Sequence, residues 1–146
     1  MEKESLVDKL NWFYSLEINQ VDLYKTQSRV AENPHLKLAL EKFAYIEQGH
    51  VENIRELIEE LGETPTIIGE VIAEITGILA GKLTSLTSWD KTLRFNVAIE
   101  KKAIADYREL IKMVDSPDIK DLLLNNLIDE ELHINWLEHQ ALEYIQ

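Results

Sequence analysis

The chain has 146 residues, 45% of them apolar and 29% charged, enough for one globular domain with a sizeable core and too apolar for a disordered chain. Its net charge of -12, from 27 acidic residues against 15 Lys and Arg, argues against nucleic acid as a partner, because a phosphate backbone attracts basic faces. It has no Cys, which excludes disulfides, thiolate metal sites and iron–sulfur clusters within the chain, so electrons for any redox reaction come from an external donor.

Helix formers dominate, and only 5 Gly and 3 Pro interrupt them, which predicts an all-α protein. The N-terminal MEKESLVDKLNW lacks the apolar run of a signal peptide, so the expected compartment is the cytoplasm. The first predicted helix runs from about residue 3 to 31. Its apolar positions Leu6, Leu10, Phe13, Val21 and Tyr24 recur at helical steps. Asn33-Pro34 ends it and opens a second helix, with Pro at the first helical position. There Leu36, Leu40, Phe43, Ile54, Leu57 and Leu61 share a face, and Gly62 is the expected C-terminal stop. These two helices make a first hairpin, about 3–61.

A crossover of about 62–87 follows, with the apolar run TIIGEVIAEITGILAGKLTSL at 66–86. The run is expected to form a short extra helix. Glu70, Glu74 and Lys82 break it too often for a membrane span. Its first reading is a cap over the bundle end. Its second is an interfacial or partner-binding element, which leaves membrane association and a homodimer open. The third long helix is expected from Ser88 or Trp89 to about Val114, with Ser88 as N-cap. Ser116-Pro117 repeats the turn of Asn33-Pro34, and the fourth helix continues to Tyr144. The second hairpin thus spans about 88–145.

The two hairpins repeat each other at an offset of 83 positions. Residues 17–53 against 100–136 share seven identities: Glu17/Glu100, Tyr24/Tyr107, Pro34/Pro117, Lys37/Lys120, Leu40/Leu123, Glu47/Glu130 and His50/His133. In Glu47-x-x-His50 and Glu130-x-x-His133 both side chains lie on one helical face and reach one centre. Phe43, Ile54, Leu127 and Leu137 flank them, so the pairs point along the apolar stripe. Glu17 and Glu100 fall in the core register of helices one and three. Four carboxylates in one core need compensation, since burial disfavours the ionised form and like charges raise one another's pKa. Two divalent cations cancel the four charges of Glu17, Glu47, Glu100 and Glu130, and neutral His50 and His133 add one nitrogen ligand per ion. This oxygen-rich donor set suits iron or manganese better than structural zinc or copper.

Tyr24 and Tyr107 lie two turns beyond Glu17 and Glu100, where their hydroxyls reach ligating carboxylates. Asp129 sits one turn before His133 and is placed to accept the free ring N–H of His50; its counterpart in the first repeat is Ile46. His35 at a turn and His139 on another face are expected in solvent. Trp12, Trp89 and Trp136 are expected as packing or rim residues.

A Glu on each of two helices with Glu-x-x-His on each of the other two resembles the ferritin-like di-iron carboxylate superfamily, over nearly the whole chain. The Glu-to-Tyr spacing is similar to a rubrerythrin core domain. The apolar crossover and Asp129-Glu130-x-x-His133 resemble the demethoxyubiquinone hydroxylase branch. Rubrerythrins carry an extra Glu three residues after the third-helix ligand; Ala103 stands here, against a rubrerythrin-type peroxidase. The resemblance implies a ferritin-like four-helix bundle, with Glu47 and Glu130 bridging two iron ions (manganese being the other fit) and Glu17 and Glu100 as terminal ligands. It further implies an oxidoreductase reacting with O₂ or peroxide and re-reduced by an external donor. Metal buffering without turnover, and a structural bundle with an inert site, are the alternatives.

Overall fold

The structure is a computed structural model, and it describes residues 1–71 and 88–144. It contains α1 (Lys3–Val30), α2 (Pro34–Glu60), α3 (Trp89–Met113) and α4 (Pro117–Glu143). No strand occurs among the described residues. The chain divides into two compact units, Met1–Ile75 and Thr76–Gln146. The expected crossover helix falls mostly outside the described residues, although the backbone is already helical at 69–71.

In the first unit α1 packs antiparallel to α2. The reversal takes only residues 31–33. Asn33 is the N-cap of α2, its side chain accepting from the backbone N–H of His35 at 2.9 Å and of Leu36 at 3.1 Å. Two of the donors that a helix start leaves without an intrahelical acceptor are thereby satisfied. Pro34 follows at the first helical position, where its missing N–H costs nothing. Most of the apolar stripe read from the sequence is core: Leu6, Leu10, Phe13, Val21, Leu36, Leu40, Phe43, Ile54 and Leu57 are buried, while Leu61, at the C-cap where the helix stops, is only half-buried. Burying each of these side chains is worth about 1.5–3 kcal/mol, which offsets the entropy of ordering two long helices.

Helix α2 stops as expected. Leu61 is the C-cap, and Gly62 follows at φ 81°, a left-handed conformation that a Cβ makes costly. The Glu63 N–H then bonds to the Ile58 carbonyl at 3.1 Å, satisfying a carbonyl of the last turn. The departing chain is fastened to α1 by two buried polar side chains. Asn11 Oδ1 accepts from the Thr66 N–H at 2.7 Å, and Ser15 Oγ accepts from the Ile68 N–H at 2.8 Å. Ser15 also donates to the Asn11 carbonyl at 2.8 Å. These bonds give a segment without secondary structure the partners that a strand or helix would otherwise provide.

In the second unit α3 packs antiparallel to α4. Ser88 holds the N-cap position, but its hydroxyl donates to the Asp90 carboxylate at 3.5 Å and caps no backbone N–H. Ser116 likewise makes no side-chain cap. The Pro-marked turn therefore recurs at Pro117 without the capping bonds of Asn33. Leu93, Val97, Ile104, Leu110, Leu123, Leu127 and Leu137 form the core of this unit. Exposed pairs lace its surface, including Arg108–Glu131 at 2.6 Å and Lys101–Glu138 at 3.0 Å.

Candidate metal centre

In the first unit α1 supplies Glu17 and α2 supplies Glu47 and His50. Both carboxylates are 0% exposed and the imidazole 2%. Helical periodicity accounts for this. Glu17 is four residues after Phe13 and seven before Tyr24, both buried, while Glu47 and His50 are a turn apart between Phe43 and Ile54. His50 Nδ1 lies 3.0 Å from Glu47 Oε2 and 3.7 Å from Glu17 Oε2. One donor atom from each of the three lies within 4.8 Å of the others.

The second unit repeats this. Glu100 comes from α3, and Glu130 and His133 come from α4, at 0%, 0% and 1% exposure. His133 Nδ1 lies 3.5 Å from Glu100 Oε1 and 3.4 Å from Glu130 Oε2. Again one donor atom from each lies within 4.8 Å of the others. In both hairpins the same imidazole nitrogen faces both carboxylates.

Burial first, and the Glu47 carboxylate second, push the Glu17 carboxyl up from 4.5 to about 8; the contact with His50 opposes them. A proton on Glu17 thus relieves part of the like-charge conflict in the metal-free first hairpin.

Each triad fits a divalent ion by its donor chemistry. Two donors about 2.1 Å from one ion and about 90–110° apart lie roughly 3.0–3.4 Å from each other. The imidazole–carboxylate separations of 3.0 and 3.4 Å fall in that range, and those of 3.5 and 3.7 Å lie just beyond it. Two carboxylates and one nitrogen, removed from water, form a hard, oxygen-rich set. The six candidate ligands read from the sequence are thereby brought together as two triads, one in each hairpin.

The residues around the triads differ between hairpins. Tyr24 and Tyr107 are buried, at 1% and 0% exposure. The Tyr24 ring packs edge-on against Phe43, with centroids 5.5 Å apart. Tyr107 instead accepts a 3.2 Å hydrogen bond from Asn126 Nδ2. Asn126 occupies the place of Phe43 in the repeat. The same helical register thus presents an aromatic edge in one hairpin and an amide in the other. Asp129 is half-buried on α4. His35 and His139 are exposed, and Trp12, Trp89 and Trp136 are half-buried, as expected.

Sequence reasoning passed over Gln20, Asn96 and Asn126, all at most 1% exposed. Their signal was a polar side chain in the core register of a helix, the same signal that revealed Glu17.

Over its full length, residues 1–146, the chain matches the model of the family described as "Domain of unknown function (DUF892)". The chain belongs to that family. No curated protein matches it. Among solved structures it is similar to a dodecameric thioferritin, the bacterioferritin-related protein of Bacteroides fragilis. The identity is 24% and the TM-score 0.78, over 99% of this chain and 88% of that one. It is also similar to a protein of Xanthomonas campestris, at 22% identity and TM-score 0.81 over 99% and 94% of the two chains. A third likeness is to ferritin-like, diiron-carboxylate proteins of Bacillus anthracis, at 19% identity and TM-score 0.75 over 97% and 99%. The fold of this family member is therefore all-α and ferritin-like, a four-helix bundle of two antiparallel helical hairpins. No helix among the described residues is long and apolar enough to cross a membrane.

Proposed function

We propose that this protein is a di-iron carboxylate oxidoreductase that acts on O₂ or peroxide with electrons from an external donor. The observation that carries the reading is the doubling of one buried Glu, Glu, His triad, with donor atoms within 4.8 Å of one another in each hairpin. A single such triad is an unusual cost to a core; two in register are what two metal ions require. The ferritin-like fold and the likeness to proteins described as diiron-carboxylate support it.

Bound iron would supply the redox chemistry. The protein's part is to hold the donors and exclude water. Glu17, Glu47, Glu100 and Glu130 would neutralise the ions. His50 and His133 each present Nδ1. Glu17 gives up its proton when metal binds. Tyr24, Tyr107 and Asp129 would help to hold the ligating side chains in place.

Anaerobic reconstitution with Fe²⁺, metal analysis, and then admission of O₂ test this reading. Two iron per chain and a new near-ultraviolet band support it. Less than one iron per chain, with an unchanged spectrum, sinks it and leaves an inert bundle. A second reading, iron buffering without turnover, draws on the likeness to a protein described as a thioferritin. Two iron per chain that stay oxidised in the presence of reductants and candidate donors would favour it.

A further inference from the structure

The first hairpin buries a polar group that the ligand set does not use. Gln20 lies one turn beyond Glu17 on α1 and one turn before Tyr24, on the face those residues share. It is 1% exposed. Neither its Nε2 nor its Oε1 has a hydrogen-bond partner among the described residues. Burying a primary amide without partners is costly, because its hydrogen bonds to water are lost and not replaced. Local helix geometry does not require this expense, because the second hairpin carries fully buried Ala103 at the equivalent position. A wholly apolar residue therefore serves the same register in the same kind of hairpin.

The amide has two donors and an acceptor, and the residues one turn to either side of it on that face, Glu17 and Tyr24, both carry oxygen groups. A small ligand seated on the metal beside Glu17 is an acceptor of the right size for a buried amide N–H, and an apolar side chain there offers it nothing. We propose that Gln20 donates a hydrogen bond to a small non-protein ligand, water or a small oxygen- or nitrogen-donor anion, held at the metal bound by Glu17, Glu47 and His50. This rests on the metal-binding reading above. Gln20 is then a positioning residue that makes the first hairpin the ligand-accepting half, while Ala103 leaves the second without that donor.

The test uses the full-length protein loaded with Co²⁺ and titrated with azide, followed by visible absorption. The wild-type protein is expected to take up Co²⁺ and to change spectrum with azide. Gln20→Met, close in length and without donors, is expected to take up the same Co²⁺ and bind azide about tenfold more weakly, the loss of one hydrogen bond. The metal-free Gln20→Met protein is expected to melt no lower than wild type, since it loses an amide without partners. Azide affinity within about twofold of wild type at equal Co²⁺ content overturns the inference alone. So does a lower melting temperature of the metal-free variant, which reveals an amide already bonded in the fold. A wild-type protein that takes up no Co²⁺ overturns the metal reading and this inference together. Gln20→Leu replaces Gln20→Met in the same titration if the latter does not fold.

Discussion

Glu17 shows what a buried carboxyl costs a fold. Its folded pKa of about 8 lies above the ordinary 4.5, so the folded chain holds a proton that the unfolded chain has already lost over that window. Stability of the metal-free protein from this group is therefore full below 4.5 and is lost as pH rises towards 8. Denaturant melts across this range are expected to show that decline, and Glu17→Gln to flatten it. A Glu17→Gln protein with the wild-type slope would remove Glu17 as its origin. Phe43 and Asn126 carry the other lesson at this scale. They share a register, but one packs on Tyr24 and the other donates to Tyr107. Phe43→Ala leaves a cavity beside Tyr24 and is expected to cost about 3–5 kcal/mol in an unfolding titration.

At the level of elements, the two Pro-marked turns look alike in sequence and are built differently. Asn33 caps α2 with two hydrogen bonds, while Ser116 makes none with its side chain. Asn33→Ala is expected to destabilise by about 1 kcal/mol, and Ser116→Ala by less than about 0.5 kcal/mol, measured by denaturant midpoint. Equal losses would contradict the capping geometry. The four helices were legible because each buries a stripe at helical spacing, and the first three end at Asn-Pro, Gly or Ser-Pro. Leu10, Leu40, Leu93 and Leu123 are all fully buried where periodicity puts them. The fastening of the 64–68 segment was not legible. Asn11 and Ser15 read as ordinary polar residues in a helix, and only the return of the chain beside α1 gives them Thr66 and Ile68 to hold.

For the whole molecule, the excess of acid is partly a property of its interior. Four of the 27 acidic residues are the fully buried Glu17, Glu47, Glu100 and Glu130. A ligand that neutralises them binds the folded state and stabilises it by about 2.7 kcal/mol at a free concentration 100 times its Kd. Iron loading is therefore expected to raise the melting temperature, and chelation to lower it to that of the metal-free protein. A melting temperature indifferent to iron would mean that the triads hold none. Surface pairs such as Arg55–Glu59 at 3.5 Å are exposed and contribute little by comparison.

The all-α class, the four long helices and the burial of six carboxylate and imidazole side chains in the helical cores follow from the sequence alone. These are local or periodic properties: a stripe with helical spacing, a carboxylate within that stripe, and a second copy 83 positions on that repeats both. Tertiary structure alone decided which hydroxyl meets which amide, that Ser88 and Ser116 sit at caps without capping, and that Gln20 is buried with no partner among the described residues. Those outcomes depend on what another stretch of chain brings within about 3 Å of a given atom, and periodicity fixes the face of a helix but not the atom that meets it.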